Sequence, residues 1–188
     1  MKDLREDLLE KMLAYKIQYK NVSLEHWATA EFGLWTWWLS LILVFLPLYI
    51  GWKFLDKKRV VEIAFFGLLV MIISSYLDVL GSEFIWWEYP VLLIPNLPLI
   101  FPIDFAVIPV IFMFIYQYFP KWKGFILVNV SISVVFSFVM EPLMIWMNLY
   151  RLVSWKLYYS FPIYILMAIF CKFIVHLALK EEEKIRRS

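Results

Sequence analysis

Asn129, Ser133, Ser137 and Glu141 recur every four residues, which sets them along one face of a helix. The run 125–148 around them is otherwise apolar. A charge at the centre of a membrane helix costs about 2.5–3.5 kcal/mol on insertion scales. That cost marks Glu141 as a candidate functional group at the end of a polar path, with Pro142 directly after it. Ser and Asn also suit hydrogen bonding between packed membrane helices, the simpler role for Ser133 and Ser137. Asp78 closes a second apolar run and Asp104 opens a third. With Glu141 they form a possible intramembrane polar cluster at one depth. Such a cluster can hold a proton or take a cation through oxygen ligands. The alternative roles are a helix-end residue for Asp78 and an N-cap for Asp104, after Pro102. Ser74 precedes Asp78 by one turn and can hydrogen-bond toward it.

Lys172 and His176 are secondary candidates, four apart on a further apolar run. Lys172 can pair with a carboxylate or meet an anionic headgroup; snorkelling to the membrane interface is the favoured expectation. His176, near a helix end, reads as structural. The sequence holds no serine-nucleophile motif, HExxH, Gly-rich phosphate loop or EF-hand spacing, so no catalytic residue is assigned. Cys171 is the single cysteine and there are two histidines, so no metal site and no cofactor is expected.

The elements that must position these residues can be read from composition. Of 188 residues, 63% are apolar, 20% aromatic and 18% charged, and the mean hydropathy is +0.74. A soluble domain has about 45–50% apolar and about 25% charged residues. The chain therefore reads as an all-α, polytopic transmembrane helical bundle in the lipid bilayer. A net charge of +2 gives no reason to expect nucleic acid.

Five spans are expected, at about 34–52, 61–80, 103–119, 125–148 and 161–179. Residues 33–180 then form the transmembrane domain and 181–188 a polar tail. Residues 81–104 are acidic, aromatic and proline-rich, and predict a broken interfacial or re-entrant segment. Residues 1–32 hold five basic and six acidic groups, with Leu4, Leu8, Leu9, Met12, Tyr15 and Tyr19 at helical spacing. They predict an amphipathic helix and not a signal peptide. No Lys or Arg occurs between Val60 and Pro120, whereas 53–59, 121–123 and the C-terminal tail are basic. The positive-inside rule then places the C-terminus in the cytoplasm and the N-terminus outside the cell membrane.

Asp78, Tyr89-Pro90, Phe101-Pro102-Ile103-Asp104, Pro109, Tyr116, Pro120, Glu141, Trp146, Trp155 and Pro162 also carry a resemblance. On these residues the chain resembles a family of small integral membrane proteins of spore-forming Gram-positive bacteria, whose biochemical role is not known. The resemblance covers roughly residues 34–180, and the charged N-terminal segment is longer here than in the typical member. It implies a multi-helix membrane protein and assigns no functional residue.

The leading functional expectation is a non-enzymatic membrane protein using the acidic cluster in transport, ion or lipid handling. The alternatives are a membrane-embedded enzyme acting on a lipid or isoprenoid, and a structural subunit. In the latter, residues 1–32 and the Trp-rich 81–90 stretch would bind a membrane-protein partner.

Overall fold

The computed structural model describes residues 2–187. Helix α1 is Lys2–His26, continued by one π-helical turn, Trp27–Glu31. The apolar helices are α2 (Trp35–Phe54), α3 (Val60–Glu83), α4 (Ile103–Tyr118), α5 (Trp122–Trp146) and α6 (Leu157–Arg187). Four of them are long and apolar enough to cross a membrane, and α4 is shorter. The chain folds as the all-α bundle that its composition requires. The only strands among the described residues are β1 (Trp87–Glu88) and β2 (Arg151–Leu152), paired antiparallel.

Helix bounds track the apolar runs, with differences at the ends. The sequence predicts a turn at Lys121-Trp122-Lys123, yet α5 starts at Trp122. The helix α6 runs on through the polar tail to Arg187. The tail's ion pairs, Glu182 to Arg186 and Glu183 to Arg187, have the four-residue spacing that supports a solvated helix.

The core runs between α3, α4, α5 and α6. Ile63, Phe66, Val70, Phe112, Phe125 and Ala168 are completely buried there. Phe45, Tyr49, Val61, Leu127, Leu166 and Phe170 point outward and stay exposed. Apolar side chains thus cover the outside, while Asp104, Asn129, Ser133, Ser137, Glu141 and Lys172 are buried within. That inversion fits lipid as the solvent, because lipid rewards no apolar burial and cannot solvate a polar group.

Two prolines shape the helices that carry acids. Proline has no N–H, and its ring clashes with the carbonyl four residues back. The turn before it widens instead, and the bonds skip to five residues. Ahead of Pro109, the Ile108 N–H donates to the Ile103 carbonyl across the π turn Ile103–Val107, which contains Asp104. Ahead of Pro142, the Glu141 N–H donates to the Phe136 carbonyl across the π turn Phe136–Met140.

One end of the bundle is capped. Residues 84–102 run irregularly over it, with the strand pair β1–β2 binding them to the loop before α6. Trp87, Tyr89, Val91, Leu92, Met144, Leu149 and Tyr150 form a second core beneath this cap. Gly81, in the last turn of α3, admits the Trp87 indole where any Cβ would collide with the ring. The connection between α1 and α2 clamps the cap from the side. Glu31, buried, accepts from the Leu92 N–H at 2.5 Å, and Trp27 donates to the Leu92 carbonyl at 3.0 Å. The opposite end carries Lys57, Lys58, Lys121 and Lys123, all exposed.

A candidate acidic cavity under the cap

A cavity of about 100 Å³ lies beneath the cap, at the ends of α3, α4, α5 and α6. Asp78, Asp104 and Glu141 all line it. The three carboxylates that the sequence singles out on three helices therefore share one space. Trp87, Tyr89, Tyr150 and Tyr164 supply aromatic wall, and no Lys, Arg or His lines the cavity.

Asp78 is richly bonded. Tyr89 donates its hydroxyl to Oδ1, Trp87 donates Nε1–H to the same oxygen at 3.1 Å, and the Ile100 N–H donates to Oδ2 at 2.9 Å. All three donors belong to the cap, Ile100 near its junction with α4. Closing the cap is thus what satisfies Asp78.

Asp104 differs. It is 4% exposed, and its Oδ2 is buried with no protein donor. Its carboxyl shares the cavity wall with that of Asp78, and the two interact electrostatically. Ser74 is turned to the backbone, donating to the Asp104 carbonyl at 3.4 Å, so it does not bond toward Asp78 as its spacing suggests.

Glu141 has its own donors. Ser160 donates to Oε2 at 3.1 Å and Tyr164 to Oε1 at 3.2 Å, both from the first turns of α6. Trp155 in turn donates to the Ser160 hydroxyl at 3.0 Å. Burial pushes the Tyr89 phenol well above its usual 10, and the nearby Asp78 charge adds to this. Tyr150 is raised too, chiefly by burial and then by the Glu141 charge. Both phenols therefore remain protonated and able to donate across the ordinary pH range.

The rest of the polar stripe on α5 lies outside the cavity wall. Asn129 donates to the Ile165 carbonyl of α6 at 3.1 Å, and Ser133 bonds back to the Asn129 carbonyl at 2.8 Å. Ser137 and the Asn129 Oδ1 are buried without a partner. Asn129 thus joins α5 to α6, and Glu141 alone of the stripe reaches the cavity.

Lys172 does not snorkel. It is 5% exposed, and its ammonium donates to the Phe119 and Pro120 carbonyls at 3.1 and 3.0 Å. The Phe125 ring centre lies 4.0 Å away. Those carbonyls at the end of α4 have no helical partners, and a buried ammonium supplies the missing donors. His176 is exposed, with its ring edge-on to Trp122 at 6.5 Å. Neither residue belongs to the cavity. Sequence reading missed Glu31, Trp27, Trp87, Ser160 and Tyr164, which hold the cap and the acids, and gave Tyr89 no such role. Their spacing to those partners runs up to 65 residues, and no local pattern marks it.

Among the described residues no group of three His, Cys, Asp or Glu is placed to hold a metal ion. The fold and the apolar helices define the class, a multi-pass helical membrane protein. Comparison with family models, curated proteins and solved structures finds no match for this chain.

Proposed function

We propose that this protein is a non-enzymatic, proton- or cation-handling protein of the cell membrane and that the capped cavity is its working site. The observation that carries the reading is the buried Asp104 oxygen, which lacks any protein donor in a wall shared with Asp78. A carboxyl pair in that state is chemically suited to take up and release a proton or to exchange it for a cation. Glu141, on its own Ser160 and Tyr164 donors, supplies a third acid in the same wall.

The proposed topology puts the cavity end and the N-terminus outside and the basic end in the cytoplasm. Its support is the grouping of Lys57, Lys58, Lys121 and Lys123 at the end away from the cavity. Kinship with the membrane-protein family of spore-forming bacteria is part of the same proposal. Asp78, Tyr89, Asp104 and Glu141, four residues of that resemblance, all line the cavity.

The test is proton flux into vesicles reconstituted with the full chain and loaded with a pH-sensitive dye. Wild type should dissipate an imposed pH gradient. Asp78→Asn, Asp104→Asn and Glu141→Gln should each slow it at least tenfold. Flux equal to wild type in all three, with the proteins folded, overturns the reading.

One observation favours a second role alongside it. Leu4, Leu8, Leu9, Met12, Tyr15 and Tyr19 on α1 are all exposed, and the helix packs chiefly against its own continuation. A helix with that much uncovered apolar surface suits a membrane-protein partner or the bilayer surface. Crosslinking from position 12 in native membranes distinguishes a protein adduct from a lipid adduct.

A further inference from the structure

Asp104 gives the cavity an unmet requirement. Its buried Oδ2 has no donor; Ser74 gives its hydroxyl to the Asp104 backbone carbonyl, and Tyr150, in the same wall, donates to none of the three acids. Trp87 and Tyr89 donate to Asp78. Ser160 and Tyr164 donate to Glu141. A proton on the acid pair is one solution. The other is an occupant that brings its own N–H donors together with positive charge.

Three features restrict that occupant. The wall holds three carboxyl groups and no base, so a cation is favoured. The aromatic rings favour an organic cation over a hydrated metal ion, and no metal-holding group of side chains exists among the described residues. The volume, about 100 Å³, is smaller than the roughly 150 Å³ cavity that takes up benzene, which leaves room for only a few heavy atoms. A quaternary ammonium fits the rings but has no N–H, and would leave Asp104 unsatisfied.

We propose that the cavity binds a small protonated primary amine, its ammonium N–H groups meeting Asp104 and its short alkyl part lying against the aromatic wall of Trp87, Tyr150 and Tyr164. This rests on the proton- and cation-handling reading and names its substrate class. The ammonium then meets the requirement that a proton on the acid pair would otherwise meet. A free alkylamine and the ethanolamine headgroup of a lipid present the same group.

The full chain in phosphatidylcholine nanodiscs is titrated with ethylammonium chloride, reading Trp fluorescence and isothermal heat. The expected result is saturable binding. Tetramethylammonium and sodium should bind at least tenfold more weakly, and so should ethylammonium to Asp104→Asn. Ligand selectivity is read on wild type, so the test survives if that variant fails to fold. Nanodiscs of phosphatidylethanolamine distinguish the source: competition there identifies the headgroup, and its absence a free amine. Tetramethylammonium or sodium binding as well as ethylammonium overturns the proposal, as does binding unchanged in folded Asp104→Asn. Absent ethylammonium binding with intact Asp104-dependent proton flux overturns the amine and leaves the proton reading standing. Ethylammonium binding without that flux supports the site and overturns the proton reading.

Discussion

Buried polar side chains decide this molecule's local structure, and each is held by a different kind of donor. Lys172 closes the end of α4 by donating to two carbonyls. Hydrogen bonds involving a charged group are worth about 1.5–3 kcal/mol each. Lys172→Met keeps the stem and removes the donors, so it should destabilise the bundle by about 2–4 kcal/mol, measured by denaturant unfolding in detergent. If Lys172 merely snorkelled, the same change would be near neutral. Tyr89 makes a prediction in pH. Its phenol stays protonated in the folded state at pH values where an unfolded tyrosine ionises, because burial and the Asp78 charge raise it above 10. Below 10 both states hold the proton and stability does not depend on this group. Above 10 the unfolded chain binds fewer protons, so stability falls as pH rises. Tyr89→Phe should flatten that alkaline loss while lowering stability at neutral pH, since Asp78 loses a donor. Melting curves between pH 8 and 11 check both signs.

At the scale of elements, prolines and glycines place the acids more than helix propensity does. A π turn adds one residue to a helix and rotates the downstream residues by roughly 100° relative to an unbroken α-helix. Asp104 lies inside one such turn and Glu141 directly after another. Pro109 and Pro142 are plain in the sequence, and so are the interruptions they cause. Their widening into π turns is not, because a proline can equally kink or end a helix. Gly81 does the corresponding work for the cap. Gly81→Ala would place a methyl group inside the Trp87 indole, forcing the ring off Asp78. Overpacking of this kind costs about 1–3 kcal/mol. The expected outcome is a lower melting temperature with Trp fluorescence shifted to the red, as Trp87 leaves its buried site. An alanine tolerated with unchanged emission would mean that the cap does not need this close approach. The three acids are legible in the sequence because a carboxylate in an apolar run is rare and costly. The cap's clamp is not: Glu31 reaches Leu92 across 61 residues, from a segment whose other charges are solvated.

Over the whole molecule, charge and polarity are distributed along the bundle axis. The acids and the aromatic cap occupy one end, and the lysines of the connections α2–α3 and α4–α5 the other. The sequence shows this asymmetry as a stretch from Val60 to Pro120 without Lys or Arg. The antiparallel run of five apolar helices turns that linear pattern into a polar axis, since alternate connections emerge at the same end. α4 is the weakest member by length. It nonetheless reaches the basic end, where Gln117 donates to the Phe54 carbonyl at 3.1 Å and accepts from the Asp56 N–H at 2.8 Å. Those bonds tie α4 to the turn after α2, so α4 cannot stop short without unpairing that turn. Of the lysines near it, Lys57 donates to the Trp52 carbonyl and lies over the Trp52 ring at 3.9 Å, so it helps close α2. Lys57, Lys58, Lys121 and Lys123 are exposed, whereas Arg59 is bound to Glu62 through two N–H groups at 3.0 and 2.7 Å. Replacing Lys58, Lys121 and Lys123 with Gln should leave the fold intact and weaken the orientation signal. A cysteine at position 85, beside the cap, should then label from both sides of the membrane in a mixed population. In the otherwise wild-type chain it should label from outside alone, with the buried Cys171 silent. Labelling of position 85 from the cytoplasmic side in that chain would reverse the topology, and with it the direction from which the acidic cavity is filled.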